Sequence, residues 1–203
     1  MQKIFSLILL SLITLSLFTT AFSPVLASEL LENSWNTKTP MNQARHGLDV
    51  IAVDGKIYAI GGYVAGGFIV DTNERYDPKT DTWSTMMTMP APKARFAIAA
   101  CQGKIYCIGG DGPTEVYDIA TDSWSTKASL PTSGSKPQAH VVDGKIFVIV
   151  SGFLYAYDCD ADSWTKMTSL PNDVTSDGNC YSAVVDNQIM VLAYFNEDLS
   201  LDL

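Results

Sequence analysis

Basic side chains are scarce in this sequence. The 203 residues contain 13 Lys and Arg against 22 Asp and Glu, which gives a formal net charge of −9. Nucleic acids and anionic membrane surfaces are bound through clustered positive charge, so this composition argues against both as partners. The negative charge is spread along the chain, and diffuse charge of this kind mainly favours solubility.

Signatures of metal and catalytic sites are also missing. The sequence has only two histidines, no Cys-x-x-Cys pair and no Cys/His cluster, so we predict no metal site. It contains no Gly-x-Ser-x-Gly, P-loop or His-Glu-x-x-His motif. The sequence therefore predicts no cofactor and no catalytic constellation of a familiar kind.

Four cysteines leave the disulfide pairing open. They are Cys101, Cys107, Cys159 and Cys180. Four thiols allow three pairings. Cys101 and Cys107 stand at unequal distances from the same predicted turn, so we do not expect them to be cross-strand partners. Buried free thiols and a single bridge are both compatible with this spacing.

One long apolar run stands at the N-terminus. Lys3 precedes the stretch from Ile4 to Phe18, which is apolar apart from Ser and Thr, and small residues lead up to Ala27. This pattern predicts a secretory signal over residues 1–27, and hence a secreted, periplasmic or cell-surface protein. An uncleaved anchor is the alternative, because residues 4–27 are long enough to span a bilayer.

The rest of the chain is dominated by a repeated cassette. Its first copy reads Asp54-Gly55-Lys56-Ile57-Tyr58, Gly61-Gly62, Tyr76-Asp77 and Asp81-Thr82-Trp83. Further copies begin near Gln102 and Asp143, and tryptophans recur at positions 35, 83, 124 and 164. A fixed period of this size indicates a repeat architecture.

Each cassette predicts four short strands. In the first copy, Asp54-Gly55 lies between two apolar runs and is a strong signal for a two-residue hairpin. Gly61-Gly62 ends the second strand, Ile69 to Tyr76 contains the third, and Trp83 opens the fourth. Four antiparallel strands per repeat predict a propeller blade, and each blade needs its neighbours to cover its faces.

The cassette resembles the kelch repeat, and the resemblance extends over residues 35–203. It implies an all-β fold, a kelch-type β-propeller of about four blades with four antiparallel strands each. The third copy departs from the pattern, with Ser151-Gly152 in place of the double glycine, and the fourth copy is degenerate. The propeller domain would span residues 28–203, with blades at 45–92, 93–134, 135–176 and 177–203, the last completed by residues 34–38.

Kelch propellers commonly have six or seven blades, so three arrangements remain open. The chain could be a fragment of a larger propeller with an open edge, a closed four-blade ring, or one half of a larger ring formed by self-association through open sheet edges. Trp35 is the test residue. In a closed ring, its strand pairs with the segment that ends at Leu203.

The resemblance also implies where a ligand would bind. Loops before the first strand and between the second and third strands share one face of a propeller, which is the usual binding face. Candidate residues on this face are Arg45, His46, Tyr63, Lys93, Arg95, Asp111, Lys136 and Tyr181. The two arginines can either bind a ligand carboxylate or pair with carboxylates of their own blades.

The predicted function is an exported binding module that recognises a protein or a glycan on this loop face. The alternative is a kelch-type sugar mutarotase or epimerase that acts on an acidic sugar such as sialic acid. In that case Arg45 or Arg95 would hold the sugar carboxylate, and His46 or a glutamate would transfer a proton.

Overall fold

The computed structural model describes residues 35–110, 112–134, 136–170 and 180–193. The chain divides into two compact units, residues 1–38 and residues 39–203. The described residues contain no α-helix, and so none that is long and apolar enough to cross a membrane. The predicted signal segment 1–27 lies outside the described residues.

The second unit is built from antiparallel sheets. The first sheet comprises β1 (Asp49–Val53), β2 (Lys56–Ile60), β3 (Asn73–Asp77) and β4 (Thr82–Thr85). The second comprises β5 (Ala97–Cys101), β6 (Lys104–Ile108), β7 (Thr114–Asp118) and β8 (Ser123–Lys127). The third comprises β9 (Gln138–Val142), β10 (Lys145–Val150), β11 (Phe153–Asp158) and β12 (Ser163–Ser169). In the described part of the fourth, β13 (Cys180–Val185) pairs with β14 (Gln188–Ala193).

Within each sheet the strands follow chain order, as the cassette predicts, and the all-β fold is confirmed. The two-residue hairpins are confirmed as well. Asp54 and Gly55 have φ angles of 49° and 71°, and Gln102 and Gly103 have 52° and 72°. Positive φ at both central residues is the geometry that matches the twist of the flanking strands. We refer to the four sheets as blades one to four.

The core lies between blades rather than within them. One apolar cluster joins blades one and two, where the rings of Tyr58 and Tyr117 lie 6.0 Å apart. A second joins blades two and three, where Tyr106 and Tyr157 lie 5.8 Å apart. The first strands of successive blades also contact one another. Each blade thus covers the face of its neighbour, as expected for sheets too small to bury their own faces.

The repeated tryptophan and aspartate hold the chain that leaves the preceding blade. In blade two, Asp122 Oδ1 accepts hydrogen bonds from Tyr117 Oη at 2.7 Å and from Met87 N at 2.9 Å. Trp124 Nε1 donates to the carbonyl oxygen of the same Met87 at 2.7 Å. We call this arrangement the linker clamp. It recurs with Asp81, Trp83 and Thr39 in blade one, and with Asp162, Trp164 and Ala128 in blade three.

Each clamped residue stands four positions after a tryptophan of the repeat. Met87 follows Trp83, Ala128 follows Trp124, and Thr39 follows Trp35. The rings of Trp124 and Trp164 pack against the apolar clusters that join the blades. The structure adds a polar function, because the indole N–H satisfies a backbone carbonyl at each junction.

The first glycine of the double-glycine motif is required by a close approach between blades. Gly61 has a φ of 64°, and a Cβ there would lie 2.2 Å from the carbonyl oxygen of Lys93. The neighbouring Gly62 donates its N–H to that same carbonyl at 2.9 Å. Only a residue without a side chain fits this junction.

Blade four bears on the question of ring closure. Its first two strands match the degenerate fourth cassette, whose predicted third strand at 199–202 lies outside the described residues. Residues 35–38 form no strand, and Trp35 is fully exposed. Closure of the ring and self-association through sheet edges therefore stay predictions.

Candidate functional site

In blade one, strand-like pairing continues beyond the end of β2. Tyr63 is bridged to His46 on one side and to Ile69 on the other. His46 N donates to Tyr63 O at 3.0 Å, and Tyr63 N donates to His46 O at 2.7 Å. Val64 N donates to Phe68 O at 3.0 Å and closes the tip of the loop. We call His46 together with residues 63–69 the lip.

Three of the candidate residues come together on the lip. The ring of His46 stacks on that of Tyr63, with centroids 5.3 Å apart and an interplanar angle of 21°. The guanidinium carbon of Arg95, from blade two, lies 5.5 Å from the Tyr63 centroid, within the range of a cation–π interaction. His46 and Arg95 are exposed and Tyr63 is half-buried. We call these three residues the Tyr63 cluster.

Gly47 makes this stack possible. A Cβ at this position would lie only 3.1 Å from Tyr63 Cδ2. The carbonyl oxygen of Gly47 accepts a hydrogen bond from Arg95 N at 3.0 Å, which ties the two blades together beneath the cluster. The absence of a side chain at Gly47 therefore lets the Tyr63 ring lie against the backbone that positions Arg95.

Arg95 adopts a backbone conformation that is uncommon for a residue with a side chain. Its φ is 55°, and the equivalent residues before β1 and β9, Gly47 and Lys136, have φ angles of 63° and 54°. A left-handed conformation costs a non-glycine residue roughly 1–2 kcal/mol. Such strain concentrates at functional positions. In blades two and three, this left-handed conformation places a cation, Arg95 or Lys136, on the loop face.

Apolar side chains extend the surface of the lip. Phe68 is 72% exposed and Ile69 is 44% exposed, and Ile69 is bridged directly to Tyr63. An arginine, a tyrosine and an exposed phenylalanine on one surface match the composition of protein-binding surfaces, in which aromatic residues and arginine are enriched. The geometry therefore favours recognition of a partner by combined apolar and ionic contacts.

Arg45 pairs with a carboxylate of its own blade. Its Nη1 lies 2.5 Å from Glu74 Oε2, and the two side chains are 0% and 1% exposed. Arg45 Nε donates to Gly61 O at 2.9 Å, and Nη2 donates to Ala59 O at 3.2 Å. Of the two alternatives left open by the sequence, the structure shows the intrablade pair for Arg45.

Lys93 occupies the equivalent position in blade two. It is 3% exposed, and its ammonium donates to Gly109 O at 2.8 Å, the counterpart of the Gly61 carbonyl in blade one. Burial raises the pKa of the nearby Glu115, while the positive charge of Lys93 partly offsets that rise. Each of the first two blades thus buries one cation and one glutamate at the same place.

These pairs have a signature in the sequence that lies outside the familiar motifs. A glutamate stands two residues before the third-strand tyrosine in blades one and two, at Glu74 and Glu115. Blade three has Tyr155 at that position and Gly134 where blade one has Arg45, so both charges are lost together. The paired change indicates a structural role for the cation and its glutamate.

The remaining candidates lie apart from the Tyr63 cluster. Lys136 is exposed before β9, and Tyr181 is 74% exposed on β13. Asp111 lies outside the described residues. Among the residues that the structure describes, no group of three or more His, Cys, Asp or Glu side chains is arranged to hold a metal ion.

The first strands line a separate polar cavity of about 250 Å³ that includes Asp49, Gln138, His140 and Ser182. Ser182 Oγ donates to Gln138 Oε1 at 2.6 Å and lies 2.7 Å from His140 Nε2, so the histidine donates to the serine. Burial lowers the pKa of His140, which favours the neutral ring. With its oxygen accepting from His140, Ser182 is not activated as a nucleophile.

Comparison with known proteins agrees with the cassette. Residues 44–90 and 92–131 match the model of the Kelch motif. No curated protein matches the chain. The two matches correspond to blades one and two and leave the more divergent third and fourth cassettes unmatched. Together with the sequential four-stranded sheets, they support a kelch-repeat β-propeller protein, a class whose repeats generally mediate protein–protein interaction.

Proposed function

We propose that this chain is an exported interaction module that binds a segment of a partner protein at the lip. The observation that carries the proposal is the Tyr63 cluster, in which Arg95 is held over Tyr63 on an exposed surface. The left-handed backbone of Arg95 and the glycine beneath the ring hold the two side chains in this arrangement.

The chemistry of the lip indicates the kind of segment it would bind. Arg95 offers a forked donor for a carboxylate, so an Asp or Glu side chain is the favoured ionic contact. Phe68 and Ile69 offer apolar area nearby, so the same segment would carry an apolar residue close to its acid. The net charge of the chain, −9, would repel an acidic segment from other surfaces and direct it to this cation.

A glycan is less well matched to this surface than a peptide. Sugar rings commonly stack on exposed aromatic faces, but His46 and Arg95 both lie against the ring of Tyr63. An acidic sugar would keep the carboxylate contact with Arg95 and lose the ring platform. Binding or turnover of sialic acid is therefore the competing outcome of the test below.

Export is part of the proposal and rests on residues 1–27. Expression of the full chain in a bacterial host would show it. We expect the protein outside the cytoplasm, with Ser28 as its first residue when the N-terminus is sequenced. Cytoplasmic protein that retains Met1 would contradict the signal, whereas membrane-bound protein that retains residues 1–27 would support the uncleaved anchor.

The binding site can be tested with a matched pair of variants. Arg95 and Lys136 are exposed cations with left-handed backbones at equivalent positions, so R95Q and K136Q remove the same charge from different blades. The probe is a random peptide library displayed on phage. We expect wild-type protein to select peptides with an acid near an apolar residue, R95Q to weaken their binding at least about tenfold, and K136Q to change it less than about twofold.

Two results would overturn this assignment. Equal effects of R95Q and K136Q would mean that binding reflects the charge of the loop face and not the Tyr63 cluster. Selection of no peptide, together with faster exchange of sialic acid anomers that R95Q abolishes, would establish the mutarotase alternative. An F68S variant adds a separate check, because it should weaken peptide binding without altering charge.

A further inference from the structure

Two cysteines face each other across the junction between blades two and three. Cys101 is the last residue of β5, and Cys159 directly follows β11. Both belong to the apolar cluster that joins these blades, and their side chains interact. The residues that follow them are bonded as well, with Gln102 Nε2 3.1 Å from Asp160 Oδ1. A side-chain contact therefore holds the two segments together directly after the thiols.

The two thiols differ in access. Cys101 is 5% exposed, and its Sγ donates to the carbonyl oxygen of Gly144 at 3.3 Å, whereas Cys159 is half-buried. Burial, aided by the contact with Cys159, raises the pKa of Cys101 to about 12. A protonated, enclosed thiol is a poor first nucleophile, so a reagent in solution would meet Cys159 first.

We propose that Cys101 and Cys159 are a dithiol that closes to a disulfide between blades two and three when the protein meets a small-molecule disulfide such as oxidised glutathione. The Cys159 thiolate attacks one glutathione sulfur, forms a mixed disulfide and releases one glutathione thiolate. The Cys101 thiolate then attacks the sulfur of Cys159 and displaces the second glutathione. Two protein thiols are oxidised, one glutathione disulfide is reduced to two thiols, and the two protons lost by the protein thiols are taken up by the two glutathione thiolates.

The third described cysteine provides an internal contrast. Cys107 is fully buried and belongs to the other cluster, between blades one and two. Burial raises its pKa well above the usual value. It has no neighbouring thiol among the described residues, so the same reagent should leave it unchanged.

Closure of the bridge would restrict the chain over residues 102–158. A loop of this length should stabilise the folded state, and for a domain of this size the midpoint of thermal unfolding should rise by roughly 10 °C. The oxidising compartments reached by export are where such bonds persist. The inference is independent of the lip, because it concerns the junction between blades two and three, whereas the lip belongs to blade one.

The bond can be mapped directly in the full chain. Trypsin separates the four cysteines, which lie in the peptides 96–104, 105–127, 146–166 and 167–203. The folded protein is incubated with oxidised glutathione, alkylated, digested and analysed by mass spectrometry without reduction. We expect peptide 96–104 linked to peptide 146–166, and Cys107 alkylated only after unfolding. Alkylation of both Cys101 and Cys159, or a bridge from either to Cys107 or Cys180, would overturn the proposal.

Thermal unfolding with and without oxidised glutathione gives a second readout. We expect the oxidant to raise the midpoint of the wild type and of C107S, and to leave C159S unchanged. C159S replaces the more exposed thiol, so it is the variant least disturbed by the change. An equal rise in C159S, or a stable glutathione adduct on Cys159 of the wild type, would show that the two thiols do not form the bond.

Discussion

Replacing Arg45 separates a structural cation from a ligand-binding one. In R45M the carboxylate of Glu74 would stay buried without its partner, and breaking a buried pair in this way costs about 3–5 kcal/mol. Methionine matches much of the volume of the arginine stem, so little of this loss would come from a cavity. We therefore expect R45M to lower the free energy of unfolding by about 4 kcal/mol.

The second blade predicts the effect of a gentler change. Lys93 fills the same position and bonds the equivalent carbonyl, so R45K should keep the charge and the bond to Gly61. It would lose the bond to the Ala59 carbonyl and the forked geometry, at about 1 kcal/mol for each. R45K should thus cost about 2 kcal/mol, roughly half the cost of R45M.

Urea unfolding followed by tryptophan fluorescence measures the free energy of unfolding. An unchanged m-value would indicate that the variant changes only this stability. The double variant R45M/E74M should be more stable than R45M, because it removes the unpaired charge as well. Peptide binding by R45K should equal that of the wild type. An R45M variant within about 1 kcal/mol of the wild type, or an R45K variant as unstable as R45M, would refute the structural role.

Three further changes probe the blade junctions. Y117F removes the bond to Asp122 and should lower the free energy of unfolding by about 2 kcal/mol in urea; no measurable loss would mean that the linker clamp is incidental. G61A places a methyl group against Lys93 O and should lower the free energy of unfolding by about 2–4 kcal/mol. G55A places its methyl group against no neighbour and should lower it by only about 1 kcal/mol. Equal losses in the two variants would contradict the close approach at Gly61. Hydrogen bonds and neighbouring cations lower the pKa of several aspartates, so their contribution is present above about pH 4 and lost as the pH falls through the lowered values. Thermal midpoints between pH 6 and 2 should therefore drop most steeply below pH 4, and a flat profile would refute this role. These aspartates are Asp77, Asp118, Asp122, Asp158 and Asp162.

The blades could be predicted because their rules are local. Asp54-Gly55 sets a turn through the φ angles of two adjacent residues, and alternating apolar runs on either side set the strands. The same reasoning placed β13 and β14 even in the degenerate cassette. Positions that need glycine, such as Gly61, are visible for the same reason, although the neighbour that imposes the need is not.

From the sequence, the site could be predicted only as one face of the propeller and not as a specific arrangement of side chains. The loop order brought His46, Tyr63 and Arg95 to one side, but their stacking depends on the bridges of the lip and on the left-handed backbone of Arg95, which involve separate blades. Arg45 shows the opposite limit. Its partner, Glu74, lies 29 residues later in the chain, and the sequence indicates the pair only through the joint loss of both charges in blade three, so the contact itself emerges only in three dimensions.

The linker clamp makes each blade a reporter on the one before it. Trp124 is bonded to the chain leaving blade one, and Trp164 to the chain leaving blade two. Loss of that bond changes the surroundings of a single indole, so variants that keep one clamp tryptophan at a time would resolve the opening of each junction by fluorescence. The same residues that define the repeat thus divide the unfolding of the array into separately observable steps.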